Sequence, residues 1–409
     1  MKLLYTAVLL LLCTINVSAA TQPDISLIGD FRAFTGNYKD HDGNNTERNG
    51  MLNYQFNSIE IAANGNLNPY TRADFYIANH GEGFELEEGY VTFLRGLPLK
   101  MQVRAGKFLV DFGRLNMLHP HAYSFIDRPL IHRTLFGFDG FNDIGVNASF
   151  LLPTSFYSKL SLNVLAGDMF EGHHHHAEEV AVEEEHDHEG RNSKEPTFSG
   201  RLNGFFELGE AANLDLGFSG FYGLHQKIED EDETEKLYTQ MGAVDFKFKQ
   251  KWSDYSSVSL IGELIFNKRD YHYETISGHV TESRSNLGGF GAIDFQFHKR
   301  FNIGGKFDYT PGIFDAQEDV DYGFVPEEAL NNTAVARYDE ENSTTAYTFF
   351  TGFMLMEETT LIRLAATYMK FDIKDPSYLN NTALLDKDDE YTITLQLVWS
   401  LGPHKPHDF

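Results

Sequence analysis

Residues 391–400 read Tyr391-Thr392-Ile393-Thr394-Leu395-Gln396-Leu397-Val398-Trp399-Ser400. Tyr391, Ile393, Leu395, Leu397 and Trp399 share one face of an extended chain, and Thr392, Thr394, Gln396 and Ser400 the other. A period of two is the mark of a strand with one apolar and one polar side. The same alternation returns along the chain. Residues 301–309 set Phe301, Ile303, Phe307 and Tyr309 against Asn302, Lys306 and Asp308. Residues 287–298 set Leu287, Ile293, Phe295 and Phe297 against Asp294, Gln296 and His298. Residues 198–208 and 258–267 repeat it.

Each segment runs about ten residues, the length of a tilted strand that crosses a bilayer. Sixteen candidates begin near Ile25, Tyr54, Thr71, Phe84, Lys100, Phe141, Tyr157, Thr197, Ala212, Leu237, Tyr255, Asn286, Phe301, Thr345, Thr359 and Glu390. Short turns are expected at 64–69, 96–98, 153–155, 209–211, 251–254, 299–300 and 357–358. Between them lie connections at 36–53, 79–83, 111–140, 169–196, 225–236, 269–285, 312–343 and 373–388, all but the second of them long. Short turns alternating with long loops describe an all-β, transmembrane antiparallel β-barrel of about 16 strands, with periplasmic turns and external loops. The fold expected is one domain over 21–409, with 402–409 as a periplasmic tail ended by Pro403 and Pro406.

Composition agrees. Of 409 residues, 14% are aromatic, with 35 Phe, 20 Tyr and 35 Gly against 12 Pro. Mean hydropathy is −0.35, which excludes a bundle of membrane helices. Residues 1–20 read as a secretory signal peptide: Lys2, an apolar run to Cys13, then Val17-Ser18-Ala19-Ala20 for cleavage. Cys13 is the one cysteine, so the mature chain has no disulfide, zinc thiolate or thiol nucleophile. Sixty acidic residues against 33 basic ones give a net charge of −27. That disfavours nucleic acid as a partner and favours cations. No Gly-x-Ser-x-Gly, phosphate-binding Gly loop or His-Glu-x-x-His is present, so the expectation is a protein that is not an enzyme.

A sixteen-stranded barrel leaves an aqueous channel. If apolar faces meet lipid, the polar faces line the lumen. Candidate wall residues are Arg72, Asp74, Arg104, Arg201, Glu207, Asp245, Lys247, Glu263, Asp294, Lys306, Asp308 and Arg363. Each also reads as a solvated, mutually paired wall charge.

Two connections carry the candidate sites. Connection 111–140 holds Phe112, Leu115, Leu118, Phe125, Leu130, Leu135 and Phe136, which a loop in solvent does not need. They suggest a loop folded into the pore, with Arg114, His119, His121, Asp127, Arg128, His132 and Arg133 near a constriction. His119 and His121 could hold a cation together with a carboxylate, or simply pin the loop by hydrogen bonds. Connection 169–196 contains His173, His174, His175, His176, His186 and His188 among eight carboxylates, Glu184 and Asp187 included. Imidazole and carboxylate ligands suit zinc, nickel and copper. With no fixed tetrahedral geometry, this segment reads as a weak collector of metal ions, and the rival reading is a solvated acidic loop. No tightly bound cofactor is expected; Zn2+ enters as a transported or loop-bound ion.

The stretch Glu88-Gly89-Tyr90-Val91-Thr92-Phe93, then Val103-Arg104-Ala105-Gly106-Lys107-Phe108 and Phe112-Gly113, resembles the phosphate-selective porins of the O/P family. The resemblance implies a sixteen-stranded outer-membrane channel, often a homotrimer, with an infolded third loop. Asp111 departs from the family, which tends to have Pro there. The His-rich connection and the ending Ser400-Leu401-Gly402-Pro403-His404 resemble outer-membrane proteins associated with zinc acquisition. The functional expectation is a passive outer-membrane channel for small ions, divalent cations such as zinc among them. Its rivals are a general or anion/phosphate-type porin with an incidental His loop, and a surface-binding or adhesion barrel without an open pore.

Overall fold

The computed structural model describes residues 23–37, 49–80, 83–167, 196–229, 234–275, 278–312, 343–355, 359–372 and 389–402. The leader 1–20, all eight expected ligands of connection 169–196 and the tail beyond Gly402 lie outside these residues.

Among the described residues sixteen antiparallel strands close into one barrel. They are β1 Asp24–Gly36, β2 Asn53–Asn68, β3 Thr71–Asn79, β4 Phe84–Phe93, β5 Gln102–Leu109, β6 Asn142–Leu151, β7 Tyr157–Leu165 and β8 Thr197–Glu207, followed by β9 Ala212–Glu229, β10 Thr234–Ser253, β11 Ser256–Thr275, β12 Gly278–Phe297, β13 Phe301–Pro311, β14 Ser343–Leu355, β15 Thr360–Asp372 and β16 Glu390–Leu401. Every strand pairs with its chain neighbours, and β1 pairs with β16 from Leu27↔Leu401 to Gly36↔Thr392. The one described α-helix, α1 (Leu130–Phe136), and two short 3-10 turns lie in the connection between β5 and β6. No described helix is long and apolar enough to cross a membrane; the chain crosses with strands.

The alternation read from the sequence sorts the two faces of the wall. Tyr391, Leu264, Phe218 and Phe349 are each more than half exposed, while Asp245, Glu263, Asp308 and Arg363 on the alternate positions are 1–2% exposed. Large exposed apolar side chains on one face are costly in water and stable in acyl chains. The barrel therefore sits in an outer membrane, apolar face to lipid and polar face inward.

Closure depends on a close approach at the seam. Gly29 of β1 stands opposite Trp399 of β16, and the indole lies over it. A Cβ added at Gly29 would stand 2.5 Å from Trp399 Cζ2. Phe56 of β2 meets the same indole edge-on, with ring centroids 5.6 Å apart. The glycine lets one aromatic plate cover the join between first and last strands.

Strand boundaries differ from the sequence reading on one side of the barrel. β9 has 18 residues and β10, β11 and β12 have 20 each. The expected connections 225–236 and 269–285 are therefore largely strand, and β12 starts at Gly278 instead of near Asn286. These segments are charged, so apolar alternation fades where the sheet rises beyond the lipid although the ladder continues. The expected turn at 64–69 shrinks in the same way, since β2 runs to Asn68.

Replacing Gly29 with Val forces Trp399 off the seam. Overpacking of this kind costs about 1–3 kcal/mol. Urea unfolding of the barrel in lipid should show that loss, and the companion change Trp399→Ala should relieve it.

Candidate functional site

The connection from Val110 to Phe141 turns inward and fills part of the barrel. Asn116 closes its neck. The Asn116 amide donates to the carbonyls of Val110 and Phe141, both at 2.9 Å, and its Oδ1 accepts the Phe141 N–H at 2.7 Å. Beyond the neck the apolar residues split into two groups. Val110, Phe112, Ile131 and Phe136 pack with Phe221, Met241 and Ile265 on the inward faces of β9, β10 and β11. Leu115, Tyr123, Phe125 and Ile126 pack with Ile261, Phe290, Phe350 and Ala365. All seven apolar residues singled out in this connection lie in such clusters.

Polar anchors accompany the apolar ones, because backbone groups taken into the barrel need partners. The Gly113 N–H donates to Ser219 Oγ, and the Arg114 N–H to Glu263 Oε2, both at 3.0 Å. His132 of α1 lies 2.9 Å from the other Glu263 oxygen, with both side chains fully buried. The Arg114 guanidinium meets Asp215 at 2.6 Å. Asp308 accepts the Leu130 N–H and pairs with Lys306, which also donates to the Asp127 carbonyl. Asp127 itself meets Arg32 at 2.8 Å, and Arg32 pairs in turn with Asp30. Buried Arg363 donates to the carbonyls of Tyr123 and Phe125. Arg128 is buried, with its guanidinium 5.9 Å from the Tyr123 ring.

On the β2–β4 side the connection meets a set of acids. His119 Nδ1 stands 3.1 Å from Glu60 Oε2 and 3.4 Å from Glu87 Oε2, and its Nε2 stands 2.9 Å from Glu88 Oε1. His121 Nδ1 is 3.5 Å from the same Glu60 oxygen. Tyr76 stacks on His119 with centroids 4.9 Å apart, and His121 stacks at 5.7 Å. Burial opposes charge on the His119 imidazole, but the carboxylates of Glu60, Glu87 and Glu88 outweigh it and hold its pKa well above the ordinary value. Further out, Glu87 Oε1 meets His80 at 3.1 Å, and His80 lies 4.0 Å from Asp139. Two sets of ligand atoms are thus close enough to hold one ion: Glu60, Glu87 and His119, and His80, Glu87 and Asp139.

The structure puts Arg114, His119, His121, Asp127, Arg128 and His132 on this one connection, against different sectors of the wall. The wall residues are paired among themselves. Arg72 meets Asp74 and Asn64, Arg201 meets Asp245, Asp294 accepts from Asn302, and Lys306 meets Asp308. Arg104 lies over the Tyr90 ring at 4.8 Å. Glu207 stands exposed at the end of β8.

Glu60, Glu87, Glu88, Arg32, His80 and Asp139 were not among the expected site residues. A bulge explains the two glutamates. Tyr76 pairs with Glu88 and Ile77 with Leu86, so Glu87 is an extra residue. Strict alternation would aim one of the pair at lipid; the bulge turns both inward. The trace in the sequence is the breakdown of parity at 84–94, where both faces mix acids with aromatics.

A closed sixteen-stranded barrel with an apolar outside, a charged inside and an infolded connection defines a porin-like outer-membrane channel fold. Solved structures share it. The outer membrane channel DcaP of Acinetobacter baumannii aligns with a TM-score of 0.58 at 11% identity, over 94% of this chain and 99% of that one. An anion-selective porin from Comamonas acidovorans aligns at 0.54 and 11%, over 93% and 99%. At such identities the likeness is one of fold. No family model matches the chain. An uncharacterized protein of Aquifex aeolicus (strain VF5) is 29% identical over 304 residues, which cover 69% of this chain. The match spans 63% of that relative's length.

Glu263 accepts from His132 and from the Arg114 backbone at once. Glu263→Ala leaves both buried groups without an acceptor, a loss of about 3 kcal/mol. The connection should then undock, and limited trypsin digestion should cut at Arg114 or Arg133 in the variant while sparing those sites in the parent.

Proposed function

We propose that the protein is a passive outer-membrane channel for small cations, divalent transition-metal ions such as Zn2+ among them. Residues 110–141 narrow the lumen, and the His/acid-rich connection 169–196 gathers ions at the external mouth. The observation that carries this reading is the acid-rich contact between connection and wall. There Glu60, Glu87 and Glu88 converge on His119 and His121, in a chain whose net charge is −27. An acidic cleft with low-dielectric walls raises local cation concentration by roughly 10- to 1000-fold at low salt. The six external histidines add affinity for borderline metals as long as their nitrogens are unprotonated.

A second reading is a general or anion-type porin. The arginines brought inward with the connection favour it: Arg114, Arg128 and Arg133, the last 4.4 Å from the Phe138 ring. The name of the Comamonas fold neighbour points the same way.

The zero-current potential across a planar bilayer under a zinc-salt gradient separates the two. A cation-selective potential is expected, weakened by deletion of residues 171–190. The contribution of that segment should fall as pH drops through about 6, since protonation near the unperturbed histidine pKa of about 6.5 removes the imidazole lone pair and leaves the carboxylates alone. An anion-selective potential unchanged by the deletion overturns the cation reading. Absence of any conductance overturns the channel itself and leaves a surface-binding barrel.

A further inference from the structure

We propose that Glu60, Glu87, His119 and His121 form a buried binding site for one zinc-type dication, which fastens the infolded connection to the wall at β2 and β4. The site is separate from the histidines of connection 169–196, and it stands whether or not the barrel conducts cations.

Spacing is the first argument. Tetrahedral zinc holds nitrogen and oxygen at about 2.0–2.2 Å, so neighbouring ligand atoms lie roughly 3.3–3.5 Å apart. The three contacts here are 3.1 Å (His119 Nδ1 to Glu60 Oε2), 3.4 Å (His119 Nδ1 to Glu87 Oε2) and 3.5 Å (His121 Nδ1 to Glu60 Oε2). Glu60, Glu87 and His119 present ligand atoms all within 4.8 Å of one another, and His121 adjoins them through the shared Glu60 oxygen. A metal ion among them replaces the proton held between His119 Nδ1 and the two carboxylates, and that proton leaves to solvent.

Unspent polar capacity is the second. Glu60 is 6% exposed, yet its Oε1 has no hydrogen-bond partner, and Glu87 Oε2 has only the long 3.4 Å contact with His119 Nδ1. Buried carboxylate oxygens without donors are costly. A dication satisfies them, and two carboxylates with two neutral imidazoles around it make a site of zero net charge, the cheapest state in a buried place.

Orientation is the third. The far nitrogen of His119, Nε2, is held by Glu88 Oε1 at 2.9 Å, and Glu88 is itself fixed by the Leu109 N–H at 3.0 Å. A carboxylate behind the imidazole sets its orientation and raises its basicity as a ligand. Tyr76 and His121 stack on the ring and keep its plane. The bulge at Glu87 makes this possible, since it supplies one glutamate to the ion and the next to the imidazole. An approach route exists as well. Glu87 Oε1 contacts His80, whose side chain is 46% exposed, and His80 neighbours Asp139 at 56%. The two-imidazole, two-carboxylate set suits zinc and its neighbours in the transition series, and offers too few oxygens for calcium.

The test uses the full mature chain, refolded in detergent, with His173, His174, His175, His176, His186 and His188 replaced by Asn. Co2+ and Zn2+ are titrated by visible absorption and calorimetry. One Co2+ per chain with tetrahedral d–d bands, displaced by Zn2+, is expected. Glu60→Gln and His119→Ala should each abolish stoichiometric binding, and Glu88→Gln should weaken it about 10- to 100-fold. Heat-modifiable gel mobility reports whether each variant is a folded barrel. Should a variant not fold, zinc-edge X-ray absorption on the six-Asn protein decides: two imidazoles and two oxygens support the site. No stoichiometric binding by the six-Asn protein, binding unchanged in folded Glu60→Gln and His119→Ala, or a zinc edge without imidazole overturns it. A barrel that binds one metal here yet gives an anion-selective potential keeps this site and discards the cation-channel reading.

Discussion

In hydrocarbon every backbone N–H and C=O must find its partner inside the protein. For a chain of strands this allows one solution, a sheet without edges, and the pairing of β1 with β16 provides it. Once the sheet closes, each strand has one face in lipid and one inside, and the period of two sorts every side chain between them. Trp399 and Leu395 go out; Gln396 and Arg363 go in. The charged interior is a product of closure, because the outer face could not carry those residues.

Sixteen strands enclose more space than wall side chains fill. The connection 110–141 uses that space as a core. Apolar residues at otherwise polar inward positions receive it: Phe221, Met241 and Ile265 on one side, Phe290 and Phe350 on the other. Polar groups carried in with it are matched individually, as Asn116 at the neck, Glu263 beneath α1 and Arg363 against the Tyr123 carbonyl show. Hydrophobic burial draws the segment inward, and the hydrogen bonds set which of its residues faces which strand.

The fold was legible because the bilayer imposes it through a local pattern. All sixteen strands could be placed from alternation, and the inward charges Arg201, Asp294 and Lys306 follow from parity alone. Legibility failed where that pattern is not enforced. β9 to β12 continue where charged residues carry no apolar stripe. Glu87 breaks parity at a bulge. The apolar residues of 111–140 showed that the segment wants burial, and its histidines showed a chemistry. Their partners stand on strands far away in sequence: Glu60 lies in β2 and Glu263 in β11. Contacts across a barrel are set by tertiary geometry, and a single sequence holds no local trace of them.

The anchors of the infolded connection also fix an order of events. Arg114 finds Glu263 at a separation of 149 residues, Leu130 finds Asp308 at 178, and Arg363 finds Tyr123 at 240. Partners this distant come together late, since chain entropy must be overcome before such contacts contribute. The receiving surface is composite, with pieces from β4 to β15, and exists only after those strands are in register. Docking of residues 110–141 therefore depends on strands from both halves of the barrel standing in register, so a lesion in a distant strand can release the connection without touching it.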